Sequence, residues 1–160
     1  MEIIGVLITG LLGGLLFVGM QSVFGKMQGK GQKNRVGRRI RESVVTGNVN
    51  KSDLYDVINY FTNVDDKENE CDQYIEIADK FFPNDKAFDI IIVTYNLQKN
   101  QFSKASARIN TALVSNQEDS DYLYLKGLIN FKEGDIDLAK KYQDKAISIN
   151  PKLASKKYIK

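Results

Sequence analysis

Apolar and polar positions divide the chain into five stretches with different periodicities. From Ile3 to Phe24 there are 22 residues without a charge. At 1.5 Å rise per residue, a helix of that length spans the roughly 30 Å hydrocarbon layer of a bilayer. Val36, Ile40, Val44 and Val45 then fall at i, i+4, i+8 and i+9 among arginines, the spacing of a short amphipathic helix. Beyond residue 51 the pattern becomes helical in pairs. Leu54, Tyr55, Ile58 and Phe61 predict one helix, and Cys71, Tyr74, Ile75, Ala78, Phe81 and Phe82 predict its partner. The run Phe88–Tyr95 is β-branched and nearly unbroken, which alone reads as a buried strand. It stands 34 residues ahead of Tyr122–Ile129, however, and that register predicts a first helix packed on neighbours at more than one face. Ala105, Ile109, Ala112 and Leu113 form the stripe of the helix that follows.

The step of 34 organises residues 52–153. Cys71, Ala105 and Ala139 are separated by it, as are Ala78, Ala112 and Ala146, while Pro83 and Pro151 stand two steps apart. Small side chains at these places predict close helix approach, where a larger residue would overpack by about 1–3 kcal/mol. The turns repeat as well. Asp66, Asn100 and Gly134 are types that accept the left-handed conformation ending a helix, and Asn69, Ser103 and Asp137 are expected to cap the next one.

Gly127, Gly134-Asp135, Ala139, Tyr142, Ala146 and Asn150-Pro151 in the third unit, with the 34-residue period, resemble the tetratricopeptide repeat. Lys126 and Leu123 depart from the family pattern, which usually has Leu and Trp there. The first two units match mainly in their second-helix small residues and turns, and the resemblance covers about 100 of the 160 residues. The expected fold is all-α: a single transmembrane helix over 1–24, a basic glycine-containing neck over 25–51, and an α-solenoid of three hairpins at 52–85, 86–119 and 120–153. A basic tail follows at 154–160. The neck reads as a flexible or locally helical tether.

Charge supports this division. Residues 1–51 carry +6, residues 52–151 carry −7, and the tail adds four lysines. Lys26, Lys30, Lys33, Arg35, Arg38, Arg39 and Arg41 crowd one end of the uncharged run, so the positive-inside rule places Met1 outside and the helical body in the cytoplasm. Only Glu2 precedes the run and Lys26 follows it, the reverse of a cleaved signal peptide. Gly10 and Gly14, with Thr9 and Gly13 beside them, would let another membrane helix approach closely, although glycine is also frequent in such helices without a contact. Arg35, Arg38, Arg39 and Arg41 suit anionic lipid headgroups at about 1 kcal/mol each, or serve only as a topology signal. Nucleic acid is not expected, since no stacking aromatics accompany the arginines.

The chain has no histidine and one cysteine, and no nucleophile–base or Gly-rich phosphate constellation stands out. Neither an enzyme nor a cofactor is expected. The acidic turn Asn63–Asn69 lacks the ligand spacing of a calcium loop, so no metal is expected. Cys71 reads as a small buried residue.

The resemblance implies a concave groove that binds protein segments. It assigns to that groove Asp53, Asp56, Tyr60 and Asn63, then Ile90, Thr94 and Leu97, then Asp121, Tyr124, Leu128 and Phe131. Asp56 and Tyr60 stand where chaperone-tail receptors of this type carry carboxylate-clamping residues, so a basic or amphipathic segment suits the groove better. Alternatively, residues 152–160 fold back and Tyr124, Leu128 and Phe131 lie beneath them. The leading functional expectation is a membrane-anchored adaptor that holds a protein partner in a membrane complex. A targeting or import receptor for peptides and a structural subunit packed through its membrane helix are the alternatives.

Overall fold

The computed structural model describes residues 30–63 and 68–159, and the uncharged run with Gly10 and Gly14 lies outside them. Seven α-helices are found among the described residues: α1 (Lys30–Thr46), α2 (Lys51–Thr62), α3 (Glu68–Phe81), α4 (Lys86–Gln98), α5 (Phe102–Ser115), α6 (Ser120–Glu133) and α7 (Ile136–Ile149). A 3-10 turn over Pro151–Lys156 follows. No strand occurs among the described residues, and no helix there is long and apolar enough to cross a membrane. The helices belong to two compact units, Met1–Phe81 and Phe82–Lys160.

The repeat is exact in the second helix of each pair, because α3, α5 and α7 begin at residues 68, 102 and 136. Phe88–Leu97 is helical and buried throughout, so the register was the correct guide and the strand-like composition was not. Its apolar character follows from packing, since α4 lies against both α5 and α6. Cys71, Ala105 and Ala139 have no exposed surface, and neither do Ala78 and Ala146. Ala112, the remaining member of that series, is only half-buried.

Three helices end in the same way. Gly47, Asn100 and Gly134 have φ of 72°, 57° and 91°. In each case the next residue donates its N–H to the carbonyl five residues back: Asn48 to Ser43, Gln101 to Asn96, and Asp135 to Asn130. This arrangement satisfies carbonyls that the helix end leaves without partners. It also leaves little chain before the next helix, which corrects the expected caps. Asp135, not Asp137, caps α7 by accepting from Leu138 N. Gln101 precedes α5 without a side-chain cap bond, Ser103 lies in the first turn, and Asn69 lies inside α3. Asn50, Asp85 and Asp119 cap α2, α4 and α6.

Within the expected neck, the locally helical alternative describes residues 30–46. Residues 30–46 form a helix packed on α2, with Val36 and Ile40 buried. The apolar face of α1 is thus turned into protein rather than left for a lipid surface, and of the four expected positions Val45 alone is fully outward. Two of the expected headgroup residues also have protein partners. Arg39 donates from Nη2 to both carboxylate oxygens of Asp53 at 2.9 Å, and Arg41 donates to the Tyr74 hydroxyl at 3.2 Å. Arg38 lies near Glu42 at 3.7 Å in an exposed pair, and Arg35 is exposed.

Candidate protein-binding surface

The α6–α7 hairpin carries the most specific arrangement in the second unit. Gly127 faces the seam between its helices: a Cβ there would lie 3.0 Å from the Ala139 carbonyl oxygen and 3.1 Å from Tyr142 Cβ, and it would collide with the Tyr158 hydroxyl. Glycine is needed here for space rather than for backbone conformation. The gap it leaves is filled by Tyr158, whose hydroxyl donates to the Ala139 carbonyl at 3.3 Å. The Tyr158 ring meets Tyr124 edge-on at 5.3 Å and Phe131 at a tilt at 5.5 Å.

The main chain on either side of Tyr158 is held by two further side chains. Gln143, only 2% exposed, accepts from the N–H groups of Tyr158 and Ile159 through Oε1 at 3.0 and 3.1 Å. Its Nε2 donates to the Ile159 carbonyl at 3.0 Å. The Tyr124 hydroxyl donates to the Lys156 carbonyl at 2.9 Å. A single glutamine amide thus satisfies two consecutive N–H groups and a carbonyl of a bent segment that no helix or strand pairs.

These contacts correct the open-groove expectation. Tyr124 and Leu128 are buried and Phe131 is half-buried, with 156–159 lying against Tyr124 and Phe131. The fold-back alternative describes this region. Ile90, Thr94 and Leu97 on α4 are buried as well, and the Thr94 hydroxyl bonds to the Ile90 carbonyl. Lys86 stands between Asp119 and Asp121, with Nζ 2.7 Å from a carboxylate oxygen of each. Burial alone would lower the Lys86 pKa, but the two carboxylates outweigh it and raise the value. The expected acidic rim at Asp121 is therefore partly neutralised within the chain. In the first unit Asp53 is occupied by Arg39 and Asn63 ends α2. Tyr60 is half-buried beside Phe61, and Asp56 is half-buried next to Tyr55. Burial, then the Asp56 charge, pushes the Tyr55 hydroxyl up to about 12.

Sequence reasoning missed Gln143 as a main-chain clamp and Tyr158 as its occupant. The signal was available in the register. Gln143 and Gly127 stand 34 residues after Ile109 and Val93, both fully buried apolar residues. A polar amide and a gap thus replace two core side chains in the third hairpin.

A second polar cluster fixes α4, α5 and α6. Asp89, 6% exposed, accepts from Arg108 Nε at 2.9 Å and from the Tyr122 hydroxyl at 2.8 Å. Among the described residues no group of His, Cys, Asp and Glu could hold a metal ion, and Cys71 is buried.

Burial, aided at Tyr122 by the bond to Asp89, raises the hydroxyl pKa of Tyr122, Tyr124 and Tyr158 above the ordinary 10.0. The fold therefore favours the neutral phenols. Above pH 10 the unfolded chain ionises first, so stability present at neutral pH should fall as pH rises beyond that value. Helical signal and phenolate absorbance followed together should show delayed ionisation and then joint loss of structure. Tyrosines titrating independently of unfolding near the ordinary value would contradict this.

No curated protein and no solved structure matches the chain. Residues 120–153, which comprise α6, α7 and the start of the 3-10 turn, match the model of the tetratricopeptide repeat family, whose members generally bind protein partners.

Proposed function

We propose that the protein is a non-enzymatic, membrane-anchored adaptor whose helical repeats hold a protein partner at the cytoplasmic face. The repeat match over residues 120–153 carries this reading, because it joins a protein-interaction family to the α6–α7 hairpin. The anchor is the uncharged run 3–24, and the basic residues after it orient the body toward the cytoplasm. Arg35 and Arg38, exposed on α1, supply charge for an anionic lipid surface close to that anchor.

The test uses the full chain. It should remain with membranes through alkaline carbonate extraction, and protease should digest the body only from the cytoplasmic side. Affinity purification in mild detergent should recover a partner, and recovery should persist when residues 3–24 are exchanged for an unrelated membrane-spanning sequence. Release by carbonate would remove the anchor, and loss of the partner after the exchange would move binding to the span.

A further inference from the structure

We infer that the outward face of α1 around Arg38, Arg41 and Val45 is a docking surface for an acidic amphipathic helix of a partner protein. The inference rests on the adaptor reading and names the chemistry of what the adaptor holds.

The 34-residue register reaches α1. Gly37 stands one step before Cys71 and Val44 one step before Ala78, so α1 occupies the place of a second helix, like α3, α5 and α7. A Cβ at Gly37 would collide with the Tyr74 hydroxyl, so the small residue serves close approach here as well. The two later second helices each follow a turn and a first helix. By contrast, α1 runs unbroken through Gln32, the register place of the turns at Asn100 and Gly134. Among the described residues it is a second helix with no first helix before it.

The side of α1 that the later hairpins bury is therefore open. Ile109 on α5 and Gln143 on α7 are buried, and Leu113 and Ile147, one turn further on, are half-buried. At these two places α1 carries Arg41, which is exposed, and Val45, which is 88% exposed. Val44 is half-buried where Ala78 and Ala146 are fully buried. A helix laid along this side would cover Val45 and the aliphatic stem of Arg41.

Charge selects the occupant. Glu42 is the one acid of α1, against six basic residues. Arg39 is committed to Asp53, whereas Arg38, Arg41 and Val45 follow one another at i, i+3 and i+7, a single stripe. Arg41 gives one bond to Tyr74 and keeps further donors. The uncharged run 3–24 would set these guanidiniums against no carboxylate, and the α1 of a second copy would set arginine against arginine. Either would leave charge covered and uncompensated. A helix whose apolar stripe is flanked by acids meets all three side chains.

The probe is a labelled helical peptide with a leucine stripe flanked by glutamates, titrated into the full chain in micelles of uncharged detergent and followed by fluorescence anisotropy. Wild type should bind it, and lysines in place of its glutamates should abolish binding. Val45→Glu should weaken binding by about tenfold or more. Val114→Glu, at a valine 74% exposed on α5, should leave it unchanged. Both valines are exposed, so neither change threatens the fold. Arg38→Glu should weaken the glutamate peptide and favour the lysine one. Equal affinity for the two valine variants, or indifference to peptide charge, would overturn the surface. So would a dimer lost on Val45→Glu that the peptide does not displace, which would give the face to a second copy. Binding to anionic vesicles that depends on Arg38 and Val45, with no peptide binding, would give it to lipid instead. Affinity purification separates the surface from the adaptor reading. A partner lost on Val45→Glu and kept on Val114→Glu supports both. A partner recovered by every variant, with no peptide bound, sinks the surface alone, whereas peptide binding with no partner recovered sinks the adaptor reading alone.

Discussion

Asp89→Ala should destabilise the second unit by about 3–5 kcal/mol, the usual cost of removing one partner from a buried charged pair. Asp89 binds Arg108 on α5 and Tyr122 on α6 from its place on α4, so its loss weakens three helices at once. It leaves a guanidinium with only 19% side-chain exposure and a buried phenol without their shared acceptor. Asp89→Asn, which keeps one acceptor oxygen, should cost less. The pair itself is not expected to add much over a hydrophobic substitute, because desolvation offsets most of the attraction. Asp89→Leu with Arg108→Met and Tyr122→Phe should therefore recover much of the loss. Thermal or urea unfolding of the three proteins decides the matter. A loss below about 1 kcal/mol for Asp89→Ala would mean that the helices are held by apolar contact alone.

This cluster shows where the sequence was legible and where it was not. The helix pairs could be read because their signals are local and repeated: buried small residues at 71, 105 and 139, and left-handed turns at 100 and 134. The Asp89–Arg108–Tyr122 contact joins residues 19 and 33 positions apart, and nothing in the spacing of charges announces it. Arg39 and Asp53 behave in the same way. Arginines counted as free for lipid were partly committed to protein, which separates a charge count from a surface. Gly47 stands outside the 34-residue register, so its termination of α1 was not anticipated, although it uses the same turn as Asn100 and Gly134.

The candidate groove was misread for a related reason. Tyr124, Leu128 and Phe131 form an apolar stripe on α6 whether solvent or chain lies over them, and the stripe does not say which. What decides is the segment at 156–159, where four side-chain hydrogen bonds from Tyr124 and Gln143 fix the main chain. Short segments with two lysines carry little periodic signal, and a glutamine in a helix usually reads as solvated. Comparison within the chain was the missed clue, since Ile109 and Val93 show what these two places contain when only core is required.

That comparison supplies a substitution already used by the second hairpin. Gly127→Val puts the residue of position 93 into the third hairpin, and its Cβ claims the place of the Tyr158 hydroxyl while pressing on the Ala139 carbonyl and Tyr142 Cβ. The tyrosine is the end of a movable side chain and can leave, but the helix backbone at Ala139 cannot move far. The expected result is ejection of 156–159 with the hairpin retained. Lost aromatic burial of about 1.5–3 kcal/mol and overpacking of about 1–3 kcal/mol both oppose the native state, and trypsin should then cleave rapidly after Lys156 or Lys157. Gly134→Asn is the control. No atom lies within 4 Å of a Cβ built there, and Asn100 holds the equivalent turn with φ of 57°, so only a modest left-handed penalty remains. It should melt close to wild type and keep the tail protected. If Gly127→Val also leaves the tail protected and the melting temperature unchanged, Tyr158 does not depend on the gap, and Gly127 is an ordinary close-packing residue of the repeat.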